Sequence, residues 1–327
     1  MLEISKRNSN SWARIGARAF YGTAFSSIAA ENANIIGMSA DLGRSSGLAR
    51  FATEYPNQFI NTGIAEQNMV GTAAGLARMG FDVFASTFAP FATLRAGEMV
   101  RMNMGYMHEP VKLVALGSGL AMGFLGNSHY GLEDVAVMRA IPDLTIISPA
   151  DCAEILKTIN ACVGFNHPVY IRLTGAINLP VVYEEDYEFE IGKAVWIRPL
   201  QPTTIISAGT TVGHALKAVN QMEEEGGTPV GLLNMHTLKP LDAEAIACCV
   251  ADCDRICVVE EHTGVGGLGS AVLQHINEHH SDYRGRVLLH SIGDRYVETG
   301  SYSYLLEKSK LDAAGIREFL TERAGVK

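Results

Sequence analysis

In the stretch TGIAEQNMVGTAAGLARMG, residues 62–80, a single carboxylate, Glu66, opens an otherwise apolar, small-residue run of helical period. Two readings stand open for it. An acid in the first turn complements the helix dipole, an effect of a few tenths to about 1 kcal/mol. A largely buried acid at the same place can instead meet a ring nitrogen of a bound heterocycle and exchange a proton with it. Downstream, STFAPFATLRAGEMVRM carries Phe88 and Phe91 three residues apart. Such pairs are ordinarily core, yet both follow a strand's carboxyl end and could wall the same heterocycle. His129, in GNSHYG, is either a structural loop histidine or a group that handles protons near neutral pH. Arg18 and Arg172, taken alone, suit surface ion pairs.

These residues need a scaffold that brings them together. Short Val- and Ile-rich runs alternate with helical-period runs, the pattern of an α/β protein with parallel sheets covered on both faces. Strands are expected at 34–40, 59–63, 81–86, 111–117, 144–148 and 168–173, and helices at 12–29, 65–79, 88–105, 131–139 and 152–163. An irregular acidic segment near 175–195 reads as a linker, and a second unit follows with strands near 203–209, 229–235, 255–261 and 287–293. Two α/β domains are expected, 1–190 and 191–327. Ligand sites in parallel sheets lie beyond the strands' carboxyl ends. Asp41, Ser45, Glu66, Phe88, Gly117 and Arg172 should therefore converge on one edge of the first domain.

Composition narrows the function. A formal charge of −9, with Lys and Arg scattered, argues against nucleic acid and for a small-molecule ligand. No apolar run reaches membrane-span length, and MLEISKRNSNSWARIG lacks a signal-type apolar stretch, so a cytoplasmic location is expected. Six cysteines show neither disulfide density nor paired CxxC spacing and are read as buried thiols, with no metal site. GVGGLG, 264–269, formally fits a dinucleotide-binding loop but lacks a good acid at the next strand end, and is read as tight turns.

The segments MSADLGRSS, TGIAEQNM, STFAPF, GNSHYGLEDVAVMRAIPDLTIISPAD, YIRLTG, NMHTLKPLD and VVEEHTGVGGLGSAV, in this order, resemble the carboxyl-terminal half of transketolase. They are similar also to 1-deoxyxylulose-5-phosphate synthase. The resemblance implies a pyrimidine-binding fold followed by a transketolase C-terminal domain, with thiamine diphosphate as cofactor. It gives Glu66 the pyrimidine N1′ as partner, which promotes loss of the thiazolium C2 proton. Phe88 and Phe91 become the aromatic wall, with Phe91 the stacking ring. Asp41 is placed at the cofactor pocket, His129 at the substrate carbonyl, and Arg18, Ser45 and Arg172 at the substrate phosphate. The family's GDG motif and downstream Asn, which hold the diphosphate through a divalent metal, have no counterpart. The nearest string, GDR at 293–295, lies in the second unit. The expectation is one subunit of a split transketolase in an α2β2 assembly. Its partner is then an amino-terminal subunit that carries the diphosphate-binding domain and Mg2+.

One loop departs from the family pattern. Gly117, Ser118 and Leu125 stand where typical transketolases carry a His-Asp pair and an Asp that read sugar hydroxyls. A smaller, more apolar wall is expected, and with it a donor other than an ordinary pentose phosphate. Transfer of a two-carbon ketol unit between sugar phosphates is the leading activity. Decarboxylative condensation and a noncatalytic scaffold are the alternatives.

Overall fold

The structure, a computed structural model, describes residues 2–326. The predicted alternation builds two α/β sheets. Their strands are β1 (Ile35–Ser39), β2 (Phe59–Asn61), β3 (Asp82–Phe88), β4 (Lys112–Ser118), β5 (Thr145–Ile147), β6 (Val169–Thr174), β7 (Val195–Arg198), β8 (Thr203–Ser207), β9 (Gly231–Asn234), β10 (Thr237–Lys239), β11 (Arg255–Val259) and β12 (Arg286–His290). The first sheet runs β10-β5-β6-β4-β3-β1-β2 and the second β12-β11-β8-β9-β7. Every residue of β1, β6 and β8 is buried, as central strands under helices on both faces require.

Both sheets are mixed rather than purely parallel, because β10 pairs antiparallel with β5 and β7 with β9. Neither strand stands out in the sequence. β10 follows β9 after only Met235 and His236, too few residues for a parallel crossover, so it crosses to the open edge of the first sheet and covers β5. Another departure concerns 88–105. There β3 runs through Phe88, and the chain then takes π-helical turns at Phe91–Arg95 and Val100–Tyr106, marked by Ala96 N–H to Phe91 O at 3.0 Å and Met107 N–H to Met102 O at 2.9 Å.

The first helix, Lys6–Ala29, begins earlier than predicted, with the Ser5 hydroxyl accepting from Asn8 N–H. It breaks at Gly16, whose φ of 82° and whose missing Cβ both matter: a Cβ there would lie 1.9 Å from Ala176 O. The irregular segment after β6 thus starts packed against this helix. It is no loose tether further on. Asp151 accepts Val182 and Tyr183 N–H, and the fully buried Glu154 accepts from Tyr183, Tyr187 and Asn234 of β9. Burial pushes the Glu154 proton affinity up, against these donors. Cys248 is exposed, contrary to expectation, on the solvent side of the helix Ala243–Asp252. No helix among the described residues is long and apolar enough to cross a membrane.

A buried ion pair fastens the two sheets near their carboxyl edges. Arg172 Nε donates to Asp134 Oδ2 at 2.8 Å and Oδ1 at 3.1 Å; its Nη2 donates to Gly131 O and, across the junction, to Glu261 O at 2.8 Å. Asp134 also accepts from Tyr170 at 2.9 Å. Both members are almost wholly shielded. Removing one member of such a pair leaves a charge without a partner, at a cost of about 3–5 kcal/mol. Arg172→Met should therefore lower the unfolding free energy in urea by about that much, and Arg172→Met with Asp134→Asn should recover part of it. A loss under about 1 kcal/mol would show that the guanidinium is not a structural tie.

Candidate active site

β1 and β3 lie side by side while β2 flanks β1 on the other side, so the strand order reverses between β1 and β3. The loops after these carboxyl ends carry the predicted residues. After β2, Asn61 Oδ1 accepts both Asp41 N–H and Gly63 N–H at 3.0 Å, which ties the β1 and β2 loops together. Gly63 then turns with φ 72° and the helix Glu66–Arg78 begins, ending in a Schellman cap where Phe81 N–H reaches Leu76 O and Gly80 N–H reaches Ala77 O. Asp41 itself is exposed and left-handed, φ 58°, a conformation Asp tolerates.

Glu66 is the first residue of its helix and is only 2% exposed. Its Oε1 accepts from Arg95 Nη1 at 2.8 Å, whereas Oε2 is buried without any partner. A buried acceptor with nothing to accept from is costly, about 1–3 kcal/mol and more for a charged group. Arg95 does not stand out in the sequence. Its guanidinium lies 4.0 Å from the centre of the Phe91 ring, and its carbonyl accepts from the Gln67 amide at 3.2 Å. Phe91 and Arg95 are four residues apart, and the π-turn between them, visible only in the structure, is the kind of local irregularity that accompanies functional sites.

Phe88 and Phe91 stand 5.9 Å apart, and the His129 ring meets both edge-on at 5.8 and 5.3 Å. His129 Nδ1 bonds the Ser128 hydroxyl at 2.9 Å. Burial first, and then the positive charge of Arg95, lower its pKa below the usual 6.5, which disfavours the charged ring. Glu66, Arg95, Phe91, Phe88 and His129 thus form one continuous acid, cation and aromatic cluster.

The remaining residues divide. Arg18 is exposed and makes no ion pair among the described residues, and the half-buried Ser45 sits in the loop packed on the same helix. The contact is close: a Cβ on Gly22 would lie 2.0 Å from Gly47 O, and one on Gly47 2.3 Å from Arg18 O. Arg172 does not join them. The family resemblance puts it at a substrate phosphate, but its guanidinium is spent on Asp134 and two carbonyls and is 4% exposed. Nothing in its immediate sequence announces that partner, which lies 38 residues away.

The departing loop also differs from expectation. Gly117 has φ 65°, and a Cβ on it would strike Met122 Cγ at 2.5 Å, so methionine fills the space that a larger residue would take. Ser118 turns inward and donates to Ala115 O at 3.1 Å, away from any ligand, while Leu125 is about half exposed. Met122 and Leu125 thus give this loop apolar side chains beside Gly117. GVGGLG is closed to phosphate: Glu260 accepts Leu268 and Gly269 N–H at 2.7 and 2.9 Å, placing a carboxylate on the helix N-terminus that an anion would need.

Comparison with known proteins agrees with this architecture. Residues 13–177 match the family model described as transketolase, pyrimidine binding domain, and 192–316 match transketolase, C-terminal domain. A putative transketolase C-terminal section of Methanocaldococcus jannaschii is 36% identical over 309 residues, covering 94% of this chain and 96% of that protein. A subunit of the apulose-4-phosphate transketolase of Phocaeicola vulgatus is 36% identical, covering 92% and 95%. A solved structure described as a split gene transketolase, inactive beta4 tetramer, superposes with a TM-score of 0.81 at 33% identity, covering 98% of both chains. Two transketolase domains matched in order, and relatives aligned along nearly their whole length, make this chain a member of the transketolase family.

Proposed function

We propose that this chain is the pyrimidine-side subunit of a split transketolase, taking thiamine diphosphate and moving a two-carbon ketol unit between sugar phosphates. The observation that carries the reading is the partnerless, buried Oε2 of Glu66, whose other oxygen takes the Arg95 guanidinium that lies on the Phe91 ring. A pyrimidine fits both: one proton shared between its ring nitrogen and Oε2 makes the missing hydrogen bond, and its flat face suits an aromatic wall. When bound, the cofactor supplies the nucleophilic thiazolium carbon that takes the ketol unit from one sugar and yields it to another.

The chain's own groups then have separable tasks. Glu66 holds or releases the N1′ proton at Oε2, while Arg95 keeps Oε1 occupied and so leaves one oxygen for the ring. Phe88 and Phe91 exclude water from that proton. His129, its charged form disfavoured, serves the substrate carbonyl as donor or acceptor. Arg18 and Ser45, on neighbouring turns, take the sugar phosphate. Asp41 borders the cofactor pocket where a second chain completes it. We assign the diphosphate and Mg2+ to an amino-terminal partner subunit, and an α2β2 assembly to the pair. Ile64 and Leu94, next to the Glu66 and Arg95 positions, are 79% and 54% exposed, which suits burial under another chain. The relatives described as one subunit of a transketolase and as an inactive beta4 tetramer support the same division of labour. Met122 and Leu125 in the departing loop, and a relative named for apulose 4-phosphate, support a donor other than an ordinary pentose phosphate.

Calorimetric titration of the lone chain with thiamine diphosphate and Mg2+ should show at most weak binding; micromolar or tighter affinity would refute the split. In the assembled complex, Glu66→Gln should leave cofactor affinity nearly unchanged and slow exchange of the bound cofactor's C2 proton, read by NMR, by about 10²–10⁴. An unchanged exchange rate would leave Glu66 as a helix-end charge worth under about 1 kcal/mol. Screened against keto-sugar phosphates, the complex should turn over xylulose 5-phosphate poorly beside its best donor. Equal turnover would show that Gly117, Met122 and Leu125 do not read the donor.

A further inference from the structure

The loop that carries His129 has little structure of its own. Residues 119–131 contain one short 3-10 turn, Gly126–Ser128, and are closed at the base by paired bonds between Gly119 and Gly131, 2.8 and 3.1 Å. Besides bonds within the loop and the ring contacts of His129, it is held by the second unit. At one end Leu120 N–H donates to Glu261 Oε1 at 2.6 Å. Along the rest runs the segment Val297–Gly300, which has no regular secondary structure. Asn127 treats Val297 as a strand neighbour would: its Nδ2 donates to Val297 O at 2.7 Å and its Oδ1 accepts Val297 N–H at 3.3 Å. The buried Tyr130 hydroxyl sits between Gly123 O at 2.7 Å and Glu298 O at 2.9 Å. Gly300 N–H reaches Gly123 O, and the backbones approach so closely that a Cβ on Gly123 would lie 2.2 Å from Gly300 O. Beside these contacts the two units part around a cavity of about 580 Å³ lined by Asn127, Tyr130, Glu133, Val265, Arg295 and Tyr296.

We infer that Val297–Gly300 is a strap by which the C-terminal unit sets the position of His129 against Phe88, Phe91 and Arg95, with Asn127 and Tyr130 as the positioning residues. The inference rests on the active-site role given to His129 above only for its consequence in turnover; the strap's hold on the ring is independent of that role. His129 adjoins Tyr130 and is two residues from Asn127, so loss of either anchor frees the segment that presses the imidazole onto the two rings. The Glu66–Arg95 pair lies on other elements and has no bond to the strap.

The test is an NMR pH titration of the histidine rings in the full-length chain and in Tyr130→Phe, Asn127→Ala and Asn127→Asp. Tyr130→Phe keeps the ring and removes the hydroxyl whose single proton the Gly123 and Glu298 carbonyls share; Asn127→Ala is the second variant should the first fail to fold. His129 is expected to titrate below 6.5 in the unaltered chain and to move toward 6.5 in both variants. Asn127→Asp, which keeps the acceptor and loses the donor, should fall between. His236, buried far from the strap and lowered to about 4, should not move. A His129 midpoint unchanged in both variants, or one that shifts together with His236, overturns the strap. In the assembled complex the same variants should raise the substrate KM or lower kcat while exchange of the cofactor C2 proton stays as it was. If His129→Ala leaves turnover intact, it is the role of His129 that fails, and the titration alone decides the strap.

Discussion

The arrangement depends on a charge kept out of water. Arg172, on a fully buried strand, can exist there only because Asp134 supplies two oxygens and the carbonyls of Gly131 and Glu261 take further protons. Those partners and the arginine itself come from a central strand, a short helix, the end of the His129 loop and the second sheet's outgoing chain. One guanidinium therefore fixes where four segments meet. The fork of a guanidinium allows this, since its donors diverge in a plane, and a lysine in its place would reach fewer of them.

The cluster around Glu66 has the opposite character. Glu66 is as buried as Asp134, yet it has one partner where Asp134 has two. The chain leaves this deficit in place, beside an aromatic face and a cation that is itself nearly half exposed. Such a deficit costs stability in the chain alone and is relieved by a bound hydrogen-bonding group, which makes it useful as a binding determinant. The contrast between a saturated buried pair and an unsaturated one separates scaffold from site among residues of the same chemical type.

The second unit contributes to the candidate site without bonding to the Glu66–Arg95 pair. Its strand β10 closes the open edge of the first sheet, its Asn234 satisfies Glu154, and its Glu261 and the segment 297–300 hold the His129 loop. A domain remote from the chemistry thus shapes the site by way of hydrogen bonds to backbone, which depend on chain path more than on side-chain identity. Such a role leaves little trace in sequence motifs.

Local sequence determined the α/β class and most strands, and it singled out the acid, the rings and the histidine that the fold brings together, because hydrophobic period and motif spacing are properties of neighbouring residues. Tertiary structure alone decided the rest. β7 and β10 are antiparallel because short connections and open edges select their partners, facts that no window of residues contains. Arg172 is a tie and not a phosphate ligand because Asp134, distant in sequence, arrives beside it. Arg95 matters because a π-turn and the approach of the Glu66 helix place its guanidinium between a carboxylate and a ring. The physical reason is common to all three: a charge or a strand edge takes its role from what desolvates and pairs it, and those neighbours are assembled only by the fold.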